Sequence, residues 1–216
     1  MKQHNRFWTR GAAALALVMS LGACAPLMVG GMVGGAMVAS DRRTSGIQLE
    51  DEGIELRGAN RIREMLGGRV HINITSYNRQ VLLTGEVPTQ KDKDYANQLI
   101  SQVDNVRTVV NELVVGPTSS LSDRSMDTLI SGKVKASMVD SKDIFANAFK
   151  VVTERGTVYL MGRVTQREAQ RASDLARQVS GVKKVVRIFD ILTEEELQAL
   201  LPAPPKNNPA PSQDAK

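Results

Sequence analysis

The sequence is poor in the side chains from which most active sites are built. It holds one cysteine, two histidines and one tryptophan, and aromatic residues make up only 4% of it. A single cysteine leaves a free thiol, an intermolecular bridge or a modification as its options. That cysteine with His4 and His71 falls short of the usual His/Cys zinc sites. No nucleophile with a nearby base is evident, so the chain carries no enzyme signature and no metal or cofactor is expected. Charge is also missing locally. No Asp, Glu, Lys or Arg occurs from Gly11 to Ser40.

That uncharged stretch follows Lys2, Arg6 and Arg10, and an apolar run from Ala12 to Leu21 lies within it. A basic start, an apolar core and small residues before a cut site make a secretory leader. It ends Leu21-Gly22-Ala23-Cys24, which resembles a lipobox. Small side chains admit the peptidase to the backbone, and the Cys24 thiolate takes diacylglycerol through a thioether. The freed α-amino group then takes an N-acyl chain. Residues 1–23 are therefore expected to be removed and 24–45 to form a lipidated, glycine-rich tether. The competing reading is an uncleaved membrane helix from Gly11 to Ser40, which is long enough. Pro26 and the glycines at 30, 31, 34 and 35 count against it only weakly. The glycine run lacks the preceding strand that a phosphate loop needs. Taking the leader's three positive charges from the formal +5 leaves +2, so the high pI is no nucleic-acid signal. Removal of Trp8 also takes away the only stacking indole.

An internal repeat organises the rest. Thr89–Val110 aligns without gaps to Thr165–Val186, with identities at Thr89/Thr165, Ala96/Ala172, Leu99/Leu175, Val103/Val179, Val106/Val182 and Val110/Val186. One residue shorter, Val158–Val164 matches Val81–Val87. In the second copy Thr165-x-x-Glu168 is a capping box, followed by apolar residues at helical spacing. Gly181 ends that helix, and the valine-rich Val182–Ile191 reads as a strand. Glu154-Arg155-Gly156 joins two further strands as a hairpin. A helix over Met126–Met138 precedes them. The first copy reads the same way, with a helix near Ile54–Leu66, strands near Val70–Thr75 and Val81–Val87, a helix over Gln90–Val103 and a strand over Val106–Val115. Each unit is therefore αββαβ, α+β in class, a three-stranded mixed sheet packed on two helices. Units of about 70 residues are marginal alone, so the two are expected to pack together. Gly85 and Gly162 are expected to share a backbone environment inside matching strands. His71 reads as a structural strand residue. Glu50-Asp51-Glu52 and Glu194-Glu195-Glu196 read as solvated faces or helix starts. Residues 194–216 read as a short acidic helix and a disordered tail with five of the eight prolines.

The motifs Val81-Leu82-Leu83-Thr84-Gly85 with Val106-x-x-Val109-Val110, and Val158–Val164 with Gly181–Val186, resemble the BON domain, an export-side bacterial module often found in pairs. With a lipobox and a tether in front, the arrangement is similar to the dual-BON outer-membrane lipoprotein family. The resemblance puts BON domain 1 at 46–116 and BON domain 2 at 117–193. It implies a non-enzymatic role in envelope integrity, lipid-anchored at the outer membrane and facing the periplasm. Anionic phospholipid would be bound through the first helix of the second domain, near Met126–Met138. Where the family presents a large aromatic, this chain has Leu129. Ala25 is not the aspartate that retains such lipoproteins at the inner membrane.

Charge separates the two copies. Residues 47–115 hold eight Lys/Arg and ten Asp/Glu, whereas 118–193 hold thirteen and eight. Solvated surface with ordinary scatter accounts for this as readily as an anionic partner does. On the second view, Lys133, Lys135 and Lys142 meet headgroups while Met126, Leu129 and Ile130 enter the apolar boundary. Leu129 fits the core equally well by spacing. The alternative function is a periplasmic adaptor binding envelope proteins or peptidoglycan through the paired domains; nucleic acid is not an expected partner.

Overall fold

The computed structural model describes residues 41–200, which lie within one compact unit. The leader, Cys24, most of the tether and the proline-rich tail fall outside the described residues. The first αββαβ copy comprises α1 (Ser45–Leu66), β1 (His71–Tyr77), β2 (Gln80–Val87), α2 (Gln90–Ser101) and a last strand in two pieces, β3 (Thr108–Asn111) and β4 (Val114–Val115). The second comprises α3 (Leu121–Asp140), β5 (Phe149–Glu154), β6 (Thr157–Thr165), α4 (Gln166–Gln178) and β7 (Lys184–Leu192). A short α5 (Glu194–Leu200) follows, with all three glutamates in its first turn.

In each copy two strands form an antiparallel hairpin, β1 with β2 and β5 with β6. The helix that follows acts as a crossover and returns the chain parallel to the hairpin's second strand. The helices begin where hydroxyls cap them: Thr44, Thr89, Ser120 and Thr165 each accept from a backbone amide of the first turn. At Ser120–Asp123 and Thr165–Glu168 the box is reciprocal.

Side chains alternate across a strand, and here both faces are used. Val81, Leu83 and Val87 pack under Ile54, Ile62, Ala96 and Ile100 of the first copy's helices. Val158, Leu160 and Val164 pack under Ile130, Val134, Met138, Ala172 and Ala176 of the second. The opposite faces meet each other: Tyr77 and Leu82 join Tyr159, Met161 and Ile188 in a third cluster. The two sheets are thus stacked face to face, with helices outside. This is why all seven residues from Val81 to Val87 are buried.

The expected continuous strand over Val106–Val115 is broken. β3 pairs with Gln80–Leu83 and β4 with Glu86–Val87, in one register interrupted opposite Thr84 and Gly85. Gly85 has φ +111°, and a Cβ there would lie 2.1 Å from the His71 carbonyl oxygen. The kink it permits separates the two pieces. Gly162 pairs with Phe149, and its Cβ would lie 2.6 Å from the Ala148 carbonyl oxygen, but its φ is not positive. β7 therefore runs unbroken along the whole of β6.

Candidate functional site

Helix α3 buries Asp127, Ile130, Val134 and Met138 on one face. Leu129 and Val139, 57% and 65% exposed, lie on the far side, and Met126, 54% exposed, lies at the helix flank. At 100° per residue, Leu129, Ala136 and Val139 fall on the side away from the core, and Met126 and Lys133 share one flank of the helix. Lys133 and Lys142 are exposed. Two residues expected at this surface are placed elsewhere. Ile130 is 3% exposed and belongs to the core beneath α3. Lys135 donates to the carbonyls of Ala146, at 2.5 Å, and Phe149, at 2.9 Å, and burial lowers its pKa. Its ammonium holds the chain after α3 rather than facing solvent. Phe145 lies in that segment and is 59% exposed, an aromatic that helical spacing did not single out. Among the described residues no helix is long and apolar enough to cross a membrane.

The start of α3 is fixed to the hairpin beside it. Arg155 and Gly156 both have positive φ, as a two-residue turn of the primed type requires. Asp127 accepts from both turn amides, at 2.7 and 2.8 Å. Asp51 of α1 does the same for Asn78 and Arg79, and also accepts from the Ser76 hydroxyl. Burial alone would raise the Asp51 carboxyl, but bonds from Ser76, the Arg79 amide and Arg43 overrule it and hold it below the usual range. Asp51 is thus 2% exposed, a correction to its reading as part of a solvated acidic face. Its signal was available, because Asp51 and Ile54 match Asp127 and Ile130 at the same spacing as Thr89 and Thr165. Beside the second turn lies a cavity of about 340 Å³, lined by Asp123, Met126, Ile130, Arg155, Gly181 and Lys183.

Polar groups also join the two copies. Arg42 makes a two-pronged pair with Glu168, both bonds 2.7 Å, with side chains 3% and 1% exposed. Arg43, next to it, lies over the Tyr77 ring and pairs with Asp51. Adjacent residues thus hold one unit each. Asp190 accepts from Arg107 and Asn78, and Lys150 pairs with Glu55. Glu86 is fully buried; it meets His71 at 2.8 Å and Arg155 of the second copy at 3.1 Å. Burial pushes Glu86 up, but the His71 and Arg155 bonds leave it lowered. Glu154, which accepts from Asn73, is raised by burial, with Glu86 adding repulsion.

Comparisons with known proteins agree with this architecture. Residues 59–117 and 126–192 each match the BON domain. The chain is 38% identical over 183 residues to the outer membrane lipoprotein DolP of Haemophilus influenzae, covering 84% of this chain and 95% of that protein. It is 32% identical over 152 residues to a 21 kDa hemolysin of Actinobacillus pleuropneumoniae, covering 69% and 78%. It is 29% identical over 117 residues to the osmotically-inducible protein Y of Escherichia coli, covering 53% and 58%. The chain belongs to the BON-domain family and is a dual-BON, DolP-like protein.

Proposed function

We propose that this protein is a non-enzymatic lipoprotein of the outer membrane, anchored through acylated Cys24 and facing the periplasm. It supports envelope integrity by laying the outward face of α3 on anionic phospholipid. The observation that carries this reading is the exposed pair Met126 and Leu129, one turn apart and beside Lys133, on a helix whose buried face is fully packed. Burying one leucine in the headgroup boundary contributes about 1.5 kcal/mol or more. Each lysine near an anionic surface adds about 1 kcal/mol, weakened by salt. The first copy also exposes Leu49 and Leu56 on α1, but residues 47–115 hold ten Asp/Glu to eight Lys/Arg, a net negative charge that an anionic surface repels.

The unlipidated folded region should float with vesicles containing anionic phospholipid and not with neutral ones. Equal flotation with both, or none with either at low salt, favours the adaptor reading. Cys24→Ser should leave an unprocessed, misplaced precursor; normal processing and membrane retention of that variant would remove the anchor from the proposal.

A further inference from the structure

We propose that His71, Glu86 and Glu154 form a site for one divalent first-row transition-metal ion, shared between the two BON units. His71 and Glu86 face each other across the β1–β2 ladder. Glu154, at the end of β5, approaches from the other unit. One donor atom from each of the three lies within 4.8 Å of the other two. An imidazole nitrogen with two carboxylate oxygens is a ligand set that zinc and its neighbours accept, with water completing the shell.

Several independent features point to the same spot. The two carboxylates are deeply buried, Glu86 at 0% and Glu154 at 7% exposure. Their repulsion is a cost that a dication between them would remove. Thr84 stands on the same sheet face, two residues from Glu86 and directly across from Asn73. Its hydroxyl is buried without a hydrogen-bond partner, which is costly unless a further group meets it. A metal-bound water is such a group. A cleft of about 390 Å³, lined by His71, Asn73, Arg124, Thr128, Ser131 and Glu154, opens on the cluster and gives a hydrated ion a way in.

The existing contacts are compatible with binding. Arg155 on Glu86 is 44% exposed in its side chain, so its guanidinium has room to turn into solvent. Asn73 on Glu154 and Ser119 on Glu86, at 3.0 and 3.5 Å, remain as outer-shell partners that orient the ligands. The bound ion would join β1 and β2 of one unit to β5 of the other and fix their packing.

The test uses the mature chain from Cys24 in detergent, stripped of metal and titrated with Zn²⁺ by calorimetry, with the His71 imidazole followed by NMR. His71 is the only histidine outside the leader, so its signals report the site in the unaltered protein. One equivalent is expected to bind, moving the His71 signals in step with the heat. Glu154→Gln keeps the shape and the Asn73 bond, and should weaken binding at least about 100-fold. Absence of binding overturns the proposal. So does binding that leaves the His71 signals in place, or that survives unchanged in Glu154→Gln, since either marks an ordinary surface carboxylate site.

Discussion

Asp51 and Asp127 each turn a two-residue hairpin loop into a fixed joint between helix and sheet. The Gly156 amide it serves is buried, so losing the Asp127 carboxylate strands a donor away from water. Asp127→Ala is expected to cost about 2–3 kcal/mol in urea unfolding. Asp127→Asn keeps one acceptor and should cost less. An Ala variant as stable as the parent would show that the turn holds itself. The buried Arg42–Glu168 pair carries a pH signature. Burial raises the Glu168 carboxyl, but Arg42 and the Thr165 amide leave it below its ordinary value of 4.5. The stability it contributes is therefore complete above that ordinary value and is lost as pH falls through the depressed folded one. Glu154 runs the other way, because its raised pKa makes neutral pH the costly condition and mild acid a relief. Melting temperature should hold in mild acid and drop below about pH 4. In Arg42→Ala the neutral-pH stability should fall by about 3 kcal/mol and the acid drop should flatten. An acid limb identical to the parent's would separate Glu168 from the acid transition.

At the scale of elements, most helices and strands were legible because their apolar residues keep the period of the structure they form. Both hairpins and both crossover helices sit where periodicity and capping residues put them, whereas α3 starts at Leu121 rather than Met126, capped by the unrecognised Ser120–Asp123 box. The start of α1 was not legible. It begins at Ser45 rather than near Ile54, because Ser45–Gly53 has no apolar stripe and is held by Asp51 reaching across to the β1–β2 turn. The break between β3 and β4 was also hidden, since it follows from the backbone of Gly85 and not from the valines of the broken strand. On α3 the ambiguity was between neighbours. Leu129 and Ile130 are equally apolar, and only the sheet beneath decides that Ile130 is core and Leu129 is surface. The α3 surface yields a paired expectation. Lys133→Glu should reduce flotation with anionic vesicles most at low salt, whereas Leu129→Asp should reduce it at any salt, with circular dichroism unchanged in both. A Leu129→Asp loss that high salt abolishes would make the contact purely electrostatic.

For the whole molecule, the stacked sheets matter most. The cluster of Tyr77, Leu82, Tyr159, Met161 and Ile188 draws on both copies, so neither unit completes its core alone. The joining polar groups, His71 with Glu86 and Arg155, or Arg107 with Asp190, are far apart in sequence, and no local pattern announces them. An isolated second domain would expose Tyr159 and Met161 and gain a new apolar surface, which makes it a poor membrane probe. The two copies belong in one experiment, each carrying its own reporter. Outside Trp8 the chain has no tryptophan, so Leu129→Trp and Leu56→Trp place a single indole on α3 or on α1 of the folded region from Asp41 onward. On adding vesicles of anionic phospholipid, the emission at position 129 should shift to the blue while that at position 56 stays unchanged. A blue shift at position 56, or none at 129, would contradict the assignment of the membrane contact to α3.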